Sequence, residues 1–455
     1  MNHMTILMVL HNEADYVKLS LQSIRMFADI EHLSVVIVDN HSEDALQAWA
    51  KEQQDITYIY MDEGKLPFGQ VVNDVCRALQ IEGDLLIMDS HYLITPHTLS
   101  RMQELLYQED ATGAVSGVSN SFLADQRSPD LADYEAAVKW ADGELQTKQG
   151  KWALGLNSDI ILLKASAITN LGKFNEELSS QEYVMKDYGF RLVIENWKQQ
   201  ICQNALFWDM RENASPYKKD TAEDAAMLEK KWGIHYINTF YNLNLLDMIA
   251  PNETAPIRVL DIGCSCGANL LEVRNRYPHA EVYGIELNKN AAMVASHVAN
   301  VEVGNIEDQN LRFTPHFFDY IMFGDVLEHL HDPLSTIQYC SGLLKEDGYI
   351  LACIPNLMHI SVMEDLLRGN FTYTEGGLLD RTHIHLFTYN EIIKMFEAGG
   401  YQIEKIQIIM SSFSEDQKSL IDSLLEIAKD TPRFMYEAFQ YGVRAKNMAC
   451  IKKEL

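Results

Sequence analysis

The chain of 455 residues contains few prolines and few cysteines. Eleven prolines and a hydrophobic content of 47% exclude collagen-like and low-complexity chains, so we expect a folded protein with room for two or three domains. The seven cysteines are an odd number and are scattered, which indicates reduced thiols and predicts a cytoplasmic protein. Cys264 and Cys266 stand close together, but one Cys-x-Cys pair is weak evidence for a metal site.

Basic residues and long apolar runs are scarce as well. The 37 Lys and Arg residues face 65 Asp and Glu residues, which gives a formal net charge of −28. Such a surface repels phosphate backbones, so nucleic acid is not an expected partner. No apolar stretch approaches the roughly 20 residues that cross a bilayer, so no transmembrane segment is predicted. The first ten residues lack the basic start of a signal peptide and predict a core strand instead.

Short apolar runs alternate with segments of helical periodicity twice along the chain. The first half contains TILMVL, VVIVD and LLIMD, and the second half contains RVLDIG, EVYGIE, DYIMFGDV and YILACIP. This alternation predicts two α/β domains, each with a parallel sheet. A charged segment at 211–233 lies between them. We therefore predict a first domain over 1–215, a linker over 216–234 and a second domain over 235–455.

The second half shows further elements around its sheet. Residues 235–249 have apolar positions at helical spacing and predict a helix that leads into the domain. Near the end, YQIEKIQIIM and FQYGVRAKN predict two strands that flank a helix around 415–430. We expect these strands to close the second sheet.

The stretch VLDIGCSCGAN begins as a buried strand and breaks into small residues before a helix. Small residues let a ligand approach the backbone closely, and the turn favours φ values that side chains resist. About twenty residues later Glu286 ends the next strand, where a carboxylate can accept hydrogen bonds from ribose hydroxyls. The combination predicts a nucleotide site without identifying the nucleotide. A tight turn with a surface glutamate is the structural alternative.

Residues 235 to 447 resemble the class I S-adenosylmethionine-dependent methyltransferases in VLDIGCSCG, GIE, VGNIED, FDYIMFGDVLEHLHDP, LLKEDGYILACIPN and GGLLDRTHIHLFT. The resemblance implies a Rossmann-like domain with S-adenosylmethionine as cofactor. In that family the glycine loop binds the methionine end, the acid binds the ribose and the N-I-E segment lines the adenine. The cofactor-binding residues implied here are Asp261, Gly263, Gly267, Glu286, Asn305, Ile306 and Asp325. Ser265 replaces the middle glycine and Asn305 a more usual aspartate, and both can still form hydrogen bonds.

Methyl transfer requires an acceptor atom in line with the sulfonium methyl group and often a base for the acceptor proton. Asp325, Glu328 and His329 follow the fourth strand of the second half, where ligands of open α/β sheets bind. The LLDRTHxxxFT pattern recurs in the resembling branch, which is often encoded with polysaccharide genes. We predict His383 of this segment as the base. A structural histidine hydrogen-bonded to a neighbouring aspartate is the alternative.

Residues 4 to 210 resemble the family 2 glycosyltransferases of GT-A fold in VLHNEADYVKLSLQSI, VVIVDNHSED, FGQVVNDVCRAL, GDLLIMDSHYLITPHTL and LGKFNEELSSQEYVMKDYGFRLVIENWK. The resemblance implies a nucleotide-sugar donor. It implies Asp187 as the base that deprotonates the acceptor hydroxyl in an inverting displacement, although Lys186 replaces the usual glutamate before it. The substrate-binding residues implied here are Leu10, His11, Glu13, Asp39 and Asp89.

A donor diphosphate that enters a protein of net charge −28 requires a local cation. Asp89 and His91 end a predicted strand, and the two-residue period places them on one face, where they can share Mn²⁺ or Mg²⁺. The family usually has a second aspartate at the position of His91, so the histidine shifts the preference towards softer metals. Asp39 as a helix cap and Asp89 as a turn residue are the structural alternatives.

Together these patterns predict a bifunctional enzyme that transfers a sugar to a glycan or glycosylated polypeptide and then O-methylates a sugar hydroxyl. Fusion of the domains would keep the acceptor at a high effective concentration. One alternative is a methyltransferase whose first module only binds the glycan, which the altered Asp-Ser-His and Lys-Asp positions favour. Another is a nucleotide-binding scaffold with two decayed sites, against which Asp261 and Glu286 argue. The donor sugar, the acceptor and the methylated position stay open.

Overall fold

The chain folds into two compact units, Met1–Thr239 and Phe240–Leu455, in a computed structural model. The structure describes residues 3–43, 45–62, 64–121, 128–143, 150–211, 222–235, 239–250 and 256–448. Both units are α/β. Within these ranges, no helix combines the length and the apolar character that spanning a membrane requires.

The first unit is built around one mixed sheet. Its strands are β1 (Met4–Leu10), β2 (Leu33–Asp39), β3 (Thr57–Tyr60), β4 (Asp84–Met88), β5 (Tyr92–Ile94), β6 (Thr112–Ser119), β7 (Gly150–Ala153), β8 (Ile160–Leu163) and β9 (Lys198–Asp209). The strand order is β3-β2-β1-β4-β8-β6-β9-β5, and β7 pairs with β9. The first four strands in this order are parallel to one another, whereas β8 runs antiparallel to β4 and to β6.

Eight helices accompany this sheet in the described part of the chain. They are α1 (Ala14–Phe27), α2 (Leu46–Ala50), α3 (Phe68–Ala78), α4 (Thr98–Gln108), α5 (Tyr134–Asp142), α6 (Ala165–Leu171), α7 (Gln181–Ile194) and α8 (Ala222–Trp232). In α1, the apolar residues Val17, Leu21 and Ile24 recur at helical spacing and pack in the core against β1 and β4. This packing covers one face of the sheet.

Parallel pairing brings three strand ends of the first unit to one edge. Leu10 at the end of β1 pairs with Asp39 at the end of β2, and Leu7 pairs with Ile87 of β4. Because parallel strands end at the same edge of a sheet, the loops that follow β1, β2 and β4 are neighbours. This edge carries the residues that the sequence predicts for the nucleotide sugar.

The second unit contains a seven-stranded sheet in the described part of the chain. Its strands are β10 (Arg258–Ile262), β11 (Glu281–Glu286), β12 (Asn300–Val303), β13 (Phe318–Gly324), β14 (Leu344–Pro355), β15 (Tyr401–Met410) and β16 (Ala438–Asn447). Its helices are α9 (Leu243–Leu246), α10 (Ala268–Arg276), α11 (Lys289–Ala295), α12 (Pro333–Leu343), α13 (Ile360–Leu367), α14 (Tyr389–Ala398), α15 (Glu415–Ile427) and α16 (Phe434–Glu437).

The strand order of the second sheet is β12-β11-β10-β13-β14-β16-β15, and β16 runs antiparallel to both of its neighbours. The chain passes from β10 to β11 on one side and later to β13 on the other, so the order reverses between β10 and β13. Open α/β sheets bind ligands at such a reversal, beyond the carboxyl ends of the strands. The fold therefore places the ligand crevice beside the glycine turn that follows β10.

Two predicted segments differ in detail from the structure. In the predicted lead-in region 235–249, helix α9 covers only Leu243–Leu246, whereas residues 236–238 lie outside the described part. The predicted linker 216–234 contains α8, which packs on α7 of the first unit through Leu228 and Trp232. In this charged segment, the apolar side chains of Leu228 and Trp232 are the sequence feature that indicates a packed helix.

Candidate functional site

The turn after β10 has the backbone shape that its glycines predict. Gly263 and Gly267 have φ values of 69° and 85°, in the left-handed region. A Cβ atom at Gly263 would lie 2.7 Å from Cγ2 of Val326, and one at Gly267 would lie 2.8 Å from Cγ2 of Val298. Ser265, which replaces the middle glycine, also adopts a positive φ, of 49°. Neither glycine position therefore has room for a side chain, and the turn packs closely on Val326 and Val298.

Glu286 holds this turn from the neighbouring strand. The backbone N–H of Ser265 donates to Oε2 of Glu286 at 2.7 Å, and the N–H of Asn288 donates to Oε1 at 2.8 Å. The N–H groups of Gly263 and Cys264 also donate to the carbonyl of Ile285. The structure thus brings the predicted acid and the predicted glycine turn together, and each carboxylate oxygen keeps capacity for a further donor.

Asp261 lies at the base of the same turn and is fully buried. Nδ2 of Asn269 donates to its Oδ2 at 3.2 Å, whereas Oδ1 has no hydrogen-bond partner within the described part of the chain. Burial raises the pKa of this carboxyl to about 7, the hydrogen bond from Asn269 opposes the rise, and the charge of Glu286 adds to it. A cationic ligand at this point would compensate a charge that the protein leaves incompletely satisfied.

The predicted adenine segment follows β12. The side chain of Asn305 accepts a hydrogen bond from the N–H of Glu307 at 3.0 Å and caps a short 3₁₀ helix, Ile306–Asp308. Ile306 is buried in the core of the sheet. The N–H of Gly304 donates to the carbonyl of Glu286 at 3.0 Å, so this segment is tied to the strand that carries the predicted ribose acid.

The loop after β13 carries two acids, of which Asp325 is half-buried and Glu328 is buried. Asp325 has a φ of 56° and accepts a hydrogen bond from Nε2 of Gln440 at 2.5 Å. Burial raises its pKa to about 6, against the effects of Gln440 and His329. Burial, reinforced by the charge of Asp325, raises the pKa of Glu328 to about 8. Sequence analysis noted Glu328 only because it follows the fourth strand of the second half. Its burial and its raised pKa are evident only from the structure.

The segment that carries His383 is attached to this loop. The N–H groups of Ile384 and His385 both donate to the carbonyl of Glu328 at 3.0 Å. Nδ1 of His383 donates to the carbonyl of Leu378 at 3.1 Å, and its Nε2 lies 3.9 Å from Oε1 of Glu328. Burial lowers the pKa of His383, in spite of the hydrogen bond to Leu378. A neutral imidazole at this position can accept a proton.

In the first unit, side chains join the three loops at the carboxyl edge. The hydroxyl of Ser90 donates to Oε2 of Glu13 at 2.6 Å, which connects the loop after β4 to the loop after β1. Nδ1 of His11 donates to the carbonyl of Asn40 at 3.0 Å and connects the loop after β1 to β2. The predicted substrate-binding loop that starts at Leu10 therefore lies between Asp39 and Asp89 along the edge.

Asp39 is buried at the end of β2. Its Oδ1 accepts the N–H of Ser42 at 2.7 Å, and its Oδ2 accepts the hydroxyl of Tyr58 at 2.6 Å. The first contact forms a turn and is not the helix cap of the structural alternative, because α2 begins only at Leu46. The contact with Tyr58 was not predicted, because it depends on the pairing of β2 with β3.

Asp89 and His91 are brought together by a turn and not by the period of a strand. Strand β4 ends at Met88, and Oδ1 of Asp89 accepts both the backbone N–H and Nδ1 of His91. Burial opposes protonation of His91, but the hydrogen bond and charge of Asp89 outweigh it and raise the pKa of His91. Together with Glu13 these residues offer three ligand atoms within 4.8 Å of one another.

Two charged residues beside this group were missed by the sequence analysis. Arg211 donates to Asp209 through Nε and Nη2 and to the hydroxyl of Tyr92 at 3.0 Å. Burial and the charge of Asp89 raise the pKa of Asp159 to about 6, while Arg211 opposes the rise. Both residues flank strands, but only strand pairing reveals that they are neighbours of Asp89. The pairing of β4 with β8 brings Asp159 beside Asp89, and the pairing of Tyr92 with Asp209 between β5 and β9 brings Arg211 there.

Asp187 lies on α7, fully buried against α8. Its Oδ1 accepts Nζ of Lys231 at 2.6 Å and Nε1 of Trp232 at 2.9 Å, and Nε of Arg191 lies 3.2 Å from Oδ2. The preceding Lys186 forms an ion pair with Glu182 at 2.5 Å. The structure therefore places the predicted base in a network of cationic and indole donors.

Comparisons with known proteins identify both halves. A model described as glycosyl transferase family 2 matches residues 5–159, and one described as a methyltransferase domain matches residues 234–406. The chain therefore carries a family 2 glycosyltransferase domain followed by a methyltransferase domain. The sequence-based prediction of this domain pair and of its fold class is confirmed.

Individual relatives match the second domain. The ubiquinone biosynthesis O-methyltransferase of Neisseria meningitidis serogroup C is 34% identical over 100 residues, which cover 20% of this chain and 42% of that protein. The protein of the same name from Nitrosospira multiformis is 31% identical over 171 residues, which cover 31% of this chain and 70% of that protein. Among solved structures, a SAM-dependent methyltransferase from Archaeoglobus fulgidus aligns with a TM-score of 0.34 and 20% identity, covering 49% of this chain and 99% of that one. The chain thus spans less than half the length of the first of these relatives.

Substitution of Asp261 tests the state of the buried carboxyl group. Its folded pKa of about 7 lies above its ordinary value of 3.8, so the stability that the neutral form provides is lost as the pH rises from about 4 to 7. The D261N variant should therefore be more stable than the wild type at pH 8, by up to about 4 kcal/mol, and similar at pH 4. Hydrogen exchange of second-domain peptides in the unliganded protein measures this difference. The exposed Asp347→Asn change is the control, and a difference independent of pH would contradict the assignment.

Substitution of Asp187 tests its network with α8. D187N removes the charge that Lys231 and Arg191 share, so the first domain should lose about 2–4 kcal/mol of stability. All six tryptophans lie at or before residue 232, so tryptophan fluorescence during denaturation reports on this domain alone. The matched control is D15N, which removes an exposed ion pair with Lys18 and should change stability by less than about 0.5 kcal/mol. Unchanged stability in D187N would show that the network does not anchor α8.

Proposed function

We propose that the second domain binds S-adenosylmethionine and transfers its methyl group to an oxygen of an acceptor. The observation that carries this proposal is the hydrogen bond from the N–H of Ser265 to Glu286, which joins the glycine turn to the acid at the end of the next strand. A turn of this shape admits the ligand to the backbone, while Glu286 can accept the ribose hydroxyls. Asn305 and Ile306 follow the next strand and are placed to border the adenine.

Asp261 and Asp325 complete the proposed cofactor site with negative charge. S-adenosylmethionine carries a sulfonium and an ammonium group, and Oδ1 of Asp261 is buried without a partner. Binding of a cation would favour the ionised form of Asp261, whose pKa burial raises to about 7. Asp325 stands across the strand reversal, beside the turn. These acids stabilise positive charge, and the methyl group itself requires only alignment with the acceptor oxygen.

His383 is the proposed base for the acceptor proton. Its Nδ1 donates to the carbonyl of Leu378, so its Nε2 is the nitrogen that can accept. Burial lowers the pKa of His383, which keeps the ring neutral near pH 7. Removal of the hydroxyl proton would accompany attack of the oxygen on the methyl carbon.

We propose that the first domain binds a nucleotide sugar at the edge formed by the loops after β1, β2 and β4. Asp39 would face the nucleoside, and Leu10, His11 and Glu13 would line the site beside it. Arg211 and Lys186 add positive charge near the acids, which a donor diphosphate requires in a protein of net charge −28.

A divalent cation fits the first domain. Glu13, Asp89 and His91 offer two carboxylates and one imidazole within 4.8 Å, a set that suits Mn²⁺ better than Mg²⁺ because of the nitrogen ligand. When bound, such an ion would neutralise the diphosphate as it leaves. Asp187 stays the proposed acceptor base of this domain, although its carboxylate is already engaged by Lys231 and Trp232.

The two domains on one chain support a bifunctional role. We propose that the enzyme adds a sugar to a glycan or glycopeptide acceptor and O-methylates a sugar hydroxyl. The engagement of Asp187 favours one alternative, in which the first domain binds the glycan and the second domain alone acts.

Substitution of Glu286 tests the cofactor site. E286A removes the acceptor for the ribose hydroxyls and for the N–H of Ser265, so the Kd for S-adenosylmethionine should rise by roughly 5 to 150-fold, which corresponds to about 1–3 kcal/mol. Isothermal titration calorimetry of the full chain measures this change. The matched control is E281A at the other end of β11, where the exposed glutamate pairs with Arg258. Equal affinity in E286A and the wild type would show that Glu286 does not bind the cofactor.

Substitution of Asp89 tests sugar transfer. With Mn²⁺ and a panel of nucleotide sugars, the wild type should slowly release nucleoside diphosphate, and D89N should reduce this release by about 100-fold because the cation and His91 lose their carboxylate. The control is D110N, an exposed aspartate after α4. Release that is absent across the panel in the wild type, while S-adenosylmethionine still binds, would favour the glycan-binding alternative.

A further inference from the structure

Glu328 is a buried carboxylate without a hydrogen-bond donor. Its side chain is 0% exposed, and neither of its oxygens has a hydrogen-bond partner among the residues that the structure describes. The nearest cationic candidate is Nε2 of His383, 3.9 Å from Oε1, which is beyond hydrogen-bonding distance. Burial of a carboxylate in this state is costly, so a group that supplies positive charge would be strongly favoured there.

Two histidines present lone pairs beside this carboxylate. Nδ1 of His383 contacts the carbonyl of Leu378 at 3.1 Å, and Nδ1 of His329 contacts the carbonyl of Thr382 at 3.1 Å. A carbonyl oxygen only accepts, so each Nδ1 carries the hydrogen and each neutral ring keeps its lone pair on Nε2. Histidines that bind metal ions characteristically donate their other nitrogen to a carbonyl or carboxylate in this way.

The backbone holds the three side chains together. His329 follows Glu328 directly, and the segment with His383 is fixed by the N–H groups of Ile384 and His385, which donate to the carbonyl of Glu328. The rings of His329 and His383 lie edge to face with centroids 4.8 Å apart. One ligand atom from each of the three residues lies within 4.8 Å of the others. The three ligand atoms therefore lie close together without a bound ion.

We propose that Glu328, His329 and His383 bind one divalent transition-metal ion. One carboxylate and two imidazoles favour Zn²⁺, Co²⁺, Mn²⁺ or Fe²⁺ over Mg²⁺ and Ca²⁺, which prefer oxygen ligands. Three protein ligands leave coordination positions open for water or for an oxygen of the methyl acceptor. Binding of the acceptor oxygen to the ion rests on the proposed methyl transfer, whereas binding of the ion itself does not. Nε2 of His383 would then be a ligand, so the proton-accepting role proposed for His383 applies to the domain without the ion.

Cobalt is the probe for this site, because Co²⁺ bound to imidazole and carboxylate absorbs visible light. The cluster of Glu13, Asp89 and His91 in the first domain offers a second place for the ion, so the full-length D89N/H91N chain serves as the background. After treatment with a chelator, this chain should bind one Co²⁺ with visible absorption. Adding E328Q or H383Q should weaken binding by roughly 100-fold or more, since loss of a ligand costs at least as much as loss of its supporting contacts.

Two further variants make the result specific. H329Q changes an exposed ligand and leaves the buried residues in place, so it tests the site even if E328Q does not fold. H385Q changes a histidine whose Nε2 contacts the carbonyl of His331, and it should leave Co²⁺ binding unchanged. Absence of Co²⁺ binding in the background chain, or equal binding in the background and in both E328Q and H329Q, would overturn the proposal.

Titration with S-adenosylmethionine separates this proposal from the proposed function. Each variant that loses Co²⁺ should keep its affinity for S-adenosylmethionine within about 3-fold, which shows an intact cofactor site. Loss of Co²⁺ in the variants with no binding of S-adenosylmethionine by any chain would support the metal site and refute the proposed cofactor. Equal Co²⁺ binding with normal cofactor affinity would refute the metal site alone.

Discussion

Parallel pairing of the first two strands of each domain is the constraint on which both sites depend. In the first domain it sets Leu10 beside Asp39, and in the second it sets Ile262 beside Ile285, one residue before Glu286. A shift of one residue would turn Glu286 to the opposite face of the sheet and break its contact with the N–H of Ser265. Every later contact, from the Asn305 segment to the loop after β13, is built on strands that extend this register.

The acidic composition makes local charge compensation the second requirement. In the first domain, buried acids are met by cations of the same domain: Asp187 by Lys231 and Arg191, and Asp209 by Arg211. His91 donates a hydrogen bond to Asp89 in the same way, and this contact raises the pKa of His91. Such pairs remove the cost of buried charge, and they also restrict which of these acids remain available to a substrate.

The order of elements followed from the sequence, because apolar runs and glycine turns are local signals. The strand–turn–helix around Gly263 and the closing pair β15 and β16 were predicted on that basis. Contacts between elements that are distant in the sequence were not predicted. Arg211 approaches Tyr92 only through the pairing of β5 with β9, and the face that Asp187 presents depends on how α8 packs on α7. The Asp89–His91 contact was expected from strand periodicity and arises from a turn, since β4 ends one residue earlier.

The two domains differ in how their buried carboxylates are satisfied, and this difference matches the ligands proposed for each. Among the described residues, Oδ1 of Asp261 and both oxygens of Glu328 have no hydrogen-bond partner, whereas Asp39 has a donor on each oxygen. Oδ2 of Asp187 in the first domain also lacks a hydrogen bond there, but it lies 3.2 Å from Nε of the cationic Arg191. A nucleotide sugar is an anion, and free buried carboxylates would repel it. S-adenosylmethionine carries a sulfonium and an ammonium group, and a metal ion is cationic, so both gain from acids that the protein has left unsatisfied. The second domain therefore retains buried carboxyl groups with raised pKa values, whose ionisation a positively charged ligand would favour.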